Sequence, residues 1–222
     1  EGMMDLTEQL VAAAATAAEC NEETTFRGKK YCLKAPFERI TYFDAFQKHV
    51  GFAPTDNEAV KEKLKELEIT ADESDHFMWW KGVNKIFEEL VEPNLHGPIF
   101  VYDYPSAICP LAKPLVDNPM WASRFEFFLG GMELANAFSE LNDPQLQLEK
   151  FEEQVADADP EAPNTVDHDY VRALSYGMPP SGGCGIGIDR LIMVLLGQDT
   201  IRDVLLFPQL RPEEGLIEGG ES

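Results

Sequence analysis

Residues Arg124–Leu141 read RFEFFLGGMELANAFSEL, and the folding of this stretch decides the architecture. Two apolar runs meet at Gly130-Gly131, the pattern of two antiparallel strands joined by a two-residue turn. In that turn Leu129 faces Met132 and Phe128 faces Glu133, so Glu126 shares a face with Glu133. Diagonal neighbours on one face lie roughly 7–8 Å apart. Two carboxylates at that range can hold a magnesium ion, which takes oxygen ligands and often keeps substrate phosphate in its shell. Asn136, Phe138 and Glu140 also share a face, but strict alternation puts it opposite. Their convergence with the glutamates requires a bulge near Leu134–Ala135. The same alternation suits an edge hairpin whose glutamates face water, with Phe138 in the core. Periodicity alone does not define a site.

Downstream, Asp143-Pro144 caps and starts a helix to about Val155, since Pro tolerates the first helical position. The run DADPEAPNT reads as a loop, and a short helix at 167–176 ends at Gly177. Ser181–Gly197, SGGCGIGIDRLIMVLLG, reads as a Gly-rich strand at 182–188 leading into an apolar helix. Glycines this dense in a strand mark close approach of another backbone or a flat ligand. Asp189 reads as the cap of the helix and Gly197 as its end. Arg190 then lies where the helix dipole opposes a cation, a placement that makes sense if it reaches an anion such as phosphate. A strand packed on a helix, with Arg190 in a salt bridge, satisfies the pattern equally well. The G-x-G-x-x-G spacing of a dinucleotide-binding turn is absent.

Upstream, residues 3–19 read as an alanine-rich helix that starts almost at the first residue, which suggests preceding chain. A hairpin is expected around Arg27-Gly28. Thr41 with Asp44 caps a helix to about His49, 56–68 forms a charged amphipathic helix, and 75–92 forms another, ended by Pro93. Trp79 and Trp80 read as packing residues of that last helix. A strand is expected at 98–104, followed by the irregular PSAICPLAKP. Helices and strands interleave without a repeated βαβ unit, which predicts a mixed α+β fold.

The 222 residues, 44% hydrophobic, suffice for one large domain with a buried core. Cys20, Cys32, Cys109 and Cys184 lack CxxC spacing and read as reduced thiols. No apolar run nears the ~20 residues of a membrane span, and no signal segment is seen, so a cytoplasmic protein is expected. The net charge is -22, with 18 basic against 40 acidic residues. An extensive grip on RNA, which relies on lysine and arginine, is therefore not expected of this chain.

The hairpin and the Gly-rich segment together resemble class II aminoacyl-tRNA synthetases, most closely the lysyl enzymes. FEFFLGGMELANAFSELNDP resembles their amino-acid and metal segment, and GGCGIGIDRLIMVLL their third signature motif. YPSAICPLAKP, QLEKFEEQ, DYVRALSYGMPPSGG and TIRDVLLFPQLRP add to the likeness, which is strongest over 99–212. Aspartyl and asparaginyl relatives share the GIGIDR-like motif but lack the N-x-F-x-E-L-N-D run.

The resemblance implies an antiparallel sheet flanked by helices, within a single domain over 1–222. Of this, 1–95 would be mostly helical, 98–212 would carry sheet and site, and 213–222 would be a tail. It implies that Glu126 and Glu133 hold Mg2+ on the phosphates of ATP and that Arg190, the catalytic cation, meets the γ-phosphate. Gly183, Gly185 and Gly187 would let adenine and ribose lie on the strand. Asn136 would bind the amino acid's backbone end, Phe138 would flank the pocket, and Glu140 would pair with the lysine ammonium. ATP-dependent ligation of lysine to tRNA is the implied reaction, in a homodimer. The first and second signature motifs and an anticodon-binding domain are not found, so little activity and some self-association are expected of the chain alone. Two other readings fit: a paralogue ligating a lysine derivative to elongation factor P, and a non-catalytic lysine- or nucleotide-binding module.

Overall fold

The structure, a computed structural model, describes residues 1–20, 22–156 and 165–209. The loop expected at 157–165, Thr165 apart, and the tail at 213–222 lie outside the described residues. In chain order the elements are α1 (Gly2–Ala17), β1 (Glu23–Phe26), β2 (Lys29–Cys32), β3 (Glu38–Thr41), α2 (Tyr42–Val50), α3 (Asn57–Glu66) and α4 (His76–Leu90). Then follow β4 (Ile99–Pro105), β5 (Trp121–Leu129), β6 (Met132–Ser139), α5 (Pro144–Ala156), α6 (His168–Leu174), β7 (Gly182–Ile186) and α7 (Ile188–Leu196).

Strands β3 to β7 form one sheet in sequence order, and β1 and β2 form a separate hairpin. The β3–β4 pair is parallel; the other pairs of the sheet are antiparallel. The architecture is the expected mixed α+β one, an antiparallel-dominated sheet flanked by helices. The tight turn between β5 and β6 follows from backbone freedom. Gly130 and Gly131 sit at φ 65° and 71°, as a two-residue hairpin turn between right-twisted strands requires.

Side-chain caps fix the helix starts. Thr41 accepts from the Asp44 amide at 3.0 Å, and Asp143 accepts from the amides of Gln145 and Leu146 at 2.9 and 3.2 Å. Two expected boundaries differ. Helix α4 stops at Leu90, and Pro93 lies inside a following 3-10 turn, Glu92–Asn94, because Pro is tolerated early in such a turn. Helix α7 is capped by Gly187 without a side-chain bond, which leaves Asp189 in the first turn rather than at the cap.

The sheet separates two cores. On one face Tyr42, Phe46, Trp80, Phe87, Val101, Tyr104, Trp121 and Phe128 pack under α2 and α4. On the other, Val11 of α1, Phe26 and Leu33 of the hairpin region, and Leu191 and Val194 of α7 cover Phe100, Phe125, Phe127, Leu134 and Ala137. Trp79 and Trp80 are core residues, as their helical spacing suggested. Among the described residues no helix is long and apolar enough to cross a membrane.

Candidate active site

Two register breaks decide which side chains meet. Phe128 pairs with Glu133, whereas Phe127 pairs with Ala135, so Leu134 is an extra residue on β6. Beyond this bulge Glu126 lies opposite Asn136, and Arg124 opposite Phe138. Glu126, Glu133, Asn136 and Phe138 therefore share one face, while Leu134, Ala135 and Ala137 enter the opposite core. The bulge that the alternation required is present. A second break lies between Tyr102 and Tyr104, where Asp103 sits at φ 59°. It turns Tyr104 away from the face of Tyr102, and its hydroxyl donates to Glu126 Oε2 at 2.8 Å.

Glu126 is 8% exposed, and Arg124 donates to its second oxygen. The Arg124 guanidinium also donates to Cys109 Sγ at 3.4 Å and stacks 5.0 Å from the Tyr104 ring centre. Burial pushes the Glu126 carboxyl up, with Glu133 adding to the rise while Arg124 and Tyr104 oppose it. Burial, reinforced by Glu126, keeps the Tyr104 hydroxyl protonated and so a donor. Glu133 accepts from Asn136 Nδ2 at 3.0 Å.

Strand β7 forms the floor beside β6. Gly183 pairs with Phe138 and Gly185 with Asn136, so both bare positions lie on the site face. A Cβ at Gly183 would collide with Glu140 Oε1, which places the Glu140 carboxylate directly over the glycine. Arg190, in the first turn of α7, donates to the Glu133 carbonyl at 2.8 Å, and its guanidinium lies 3.7 Å from Glu133 Oε2. Glu133, Asn136, Gly185, Gly187 and Arg190 line one hollow; Cys109, Pro110, Leu111, Arg124, Asn136 and Phe138 line a second. Asn136 belongs to both. The structure thus gathers Glu126, Glu133, Asn136, Phe138, Glu140, Gly183, Gly185, Gly187 and Arg190 around one end of the sheet.

Glu126 and Glu133 are the two carboxylates this face offers a cation. Among the described residues no three acidic, His or Cys side chains form a metal cluster. Magnesium, however, commonly takes only one or two carboxylates and completes its shell with water and phosphate. Glu133 shares the face of Glu126 and disfavours its ionisation, a repulsion that a divalent cation relieves. The residues fit the ion.

The arrangement sets two carboxylates and an exposed guanidinium beside bare glycine positions on one face of the sheet. Over residues 1–211 the chain matches tRNA synthetases class II (D, K and N), and it belongs to that family. The lysine–tRNA ligase of Moorella thermoacetica is 45% identical over 221 residues, 96% of this chain and 44% of that protein. That of Pelotomaculum thermopropionicum is 44% identical over 219 residues, 96% of this chain and 43% of the relative. The Chloroflexus aurantiacus lysine–tRNA ligase is 41% identical over 94% of this chain and 43% of its own length. The chain spans less than half the length of these relatives.

Sequence reasoning did not single out Tyr104, Arg124 or Glu92. Arg124 carried a weak signal, being a cation inside the strand that bears Glu126. Glu92 is half-buried, and its carboxyl is raised to about 7 by burial first and then by Glu126, Glu88 and Glu133. No spacing in the sequence announces it.

Proposed function

We propose that this chain carries the amino-acid and nucleotide side of a lysine–tRNA ligase. The observation that supports this best is the Glu140 carboxylate seated over bare Gly183 beside Phe138. A lysine ammonium leaving water needs a carboxylate partner, and an uncharged analogue would leave Glu140 unpaired. Phe138 flanks the aliphatic stem, and Asn136, shared by both hollows, meets the amino acid's backbone end. Gly185 and Gly187 let adenine and ribose lie where β7 meets α7, clear of the Glu140 carboxylate over Gly183, and Arg190 turns its exposed guanidinium to the γ-phosphate of ATP.

Glu126 and Glu133 would hold Mg2+, which supplies charge neutralisation of the triphosphate. Tyr104 and Arg124 orient Glu126 and oppose the rise that burial gives its carboxyl. In the reaction the lysine carboxylate attacks the α-phosphorus, the bond to the bridging oxygen breaks and pyrophosphate leaves. The lysyl group then passes from the adenylate to tRNA. Such a transfer relies on positioning and on charges aimed at the phosphates, so no protein nucleophile is required. tRNA, a homodimer and a cytoplasmic location belong to this reading of the whole protein.

The test is lysine-dependent pyrophosphate–ATP exchange together with lysine binding by calorimetry. Lysine binding that Glu140→Ala weakens at least ~10-fold is expected, the loss of a charge-assisted contact. Binding unchanged by that substitution sinks the reading. Binding without exchange means that the chemistry depends on residues outside this chain.

A further inference from the structure

Helix α5 carries Gln147 at the end of its first turn, and this side chain is fully buried. Its Nε2 donates to the Pro110 carbonyl at 3.0 Å, and among the described residues its Oε1 is the one buried side-chain oxygen without a partner. An apolar side chain of similar size would fill the same space without desolvating an amide. What glutamine adds is the bond to Pro110.

Pro110 and Leu111 form a thin wall. On one side is the small hollow of about 180 Å³ that also holds Cys109, Asn136 and Phe138. On the other is a wider hollow of about 830 Å³, lined by Phe151, Val166 and Tyr170. Beyond the wall the chain is pinned to the site strand: Leu111 accepts from the Leu141 amide at 3.0 Å, Ala112 bridges Glu140, and the Lys113 amide donates to Ser139 at 2.8 Å. The Gln147 amide ties the Pro110 carbonyl to α5, the helix that also brings Phe151 to the wider hollow.

We propose that Gln147 is a positioning residue, which fixes the Pro110–Leu111 wall to α5 and thereby sets the width of the amino-acid hollow. The role rests on the functional reading above only in calling the hollow the lysine pocket. Gln147→Leu keeps the packing and deletes the donor; Gln147→Glu keeps the size and replaces the donor with an acceptor.

Cys109, 4% exposed and adjacent to Pro110, reports the wall directly. In both variants iodoacetamide labelling of Cys109, mapped by peptide mass spectrometry, is expected to rise about five- to ten-fold, the ratio one lost hydrogen bond supports. Cys20, in a different part of the fold, is expected to keep its rate. The lysine dissociation constant rises in parallel, while that of ATP stays.

Unchanged Cys109 labelling in both variants overturns the proposal. So does equal acceleration at Cys109 and Cys20, which would show general loosening. Faster Cys109 labelling with unaltered lysine affinity also overturns it, since the wall would then not shape the pocket. If the unsubstituted chain binds no lysine, the functional reading falls, and Cys109 labelling alone decides whether Gln147 holds the wall.

Discussion

Glu92 shows how a single side chain records its surroundings. Its folded-state pKa of about 7 lies above the ordinary 4.5, because burial and the charges of Glu126, Glu88 and Glu133 disfavour ionisation. Below pH 4.5 both folded and unfolded chains hold this proton. Between 4.5 and 7 only the folded chain holds it, so stability falls as pH rises through that window and stays low above it. Half-exposed as the group is, the loss is about 1–2 kcal/mol after discounting for solvent. Thermal melts from pH 4.5 to 8 are expected to show the decline, and Glu92→Gln to flatten it. An unchanged slope in that variant would assign the effect elsewhere. At this scale the proposed ligand residues were legible because carboxylate, amide and glycine residues crowd two short runs. Tyr104 and Gln147 were not. One reaches the site through a bulge at Asp103, and the other is held by a loop 37 residues away in sequence.

The hairpin and β7 act together. Strand β7 leaves room for Glu140 by lacking a side chain at Gly183, so Gly183→Ala forces the carboxylate aside. The expected result is a lysine affinity lowered about 10-fold or more, from the misplaced partner charge, with a melting temperature within a few degrees of the parent. Retained affinity would mean that Glu140 does not read the ligand. The alternation of RFEFFLGGMELANAFSEL made the hairpin and the need for its bulge readable. Strand β3 was not readable, because ERIT is short and largely polar and owes its conformation to parallel pairing with β4, about 60 residues on. Asp189 was misread as a cap because the glycine before Ile188 already supplies the extended Ncap backbone.

The molecule as a whole is strongly acidic yet carries bare apolar surface. Leu206 is 89% and Phe207 93% exposed, with Ile188, Leu196 and Ile201 also open on or near α7. Sedimentation at increasing concentration is expected to show self-association that Leu206→Ser with Phe207→Ser weakens. A strict monomer at ~100 µM would count against it. With a net charge of -22, tRNA binding by this chain alone is expected to be weaker than ~10 µM at physiological salt. Tight binding there would reveal a basic patch that the overall charge conceals. The two cores differ in another way. One draws on Tyr42 through Phe128, a continuous span, whereas the other joins Met4 and Val11 to Leu191 and Val194 at the far end of the described chain. On the ribosome, then, the span under α2 and α4 can close while synthesis continues. Helix α1 must wait, its apolar face without its final partners, until α7 has emerged.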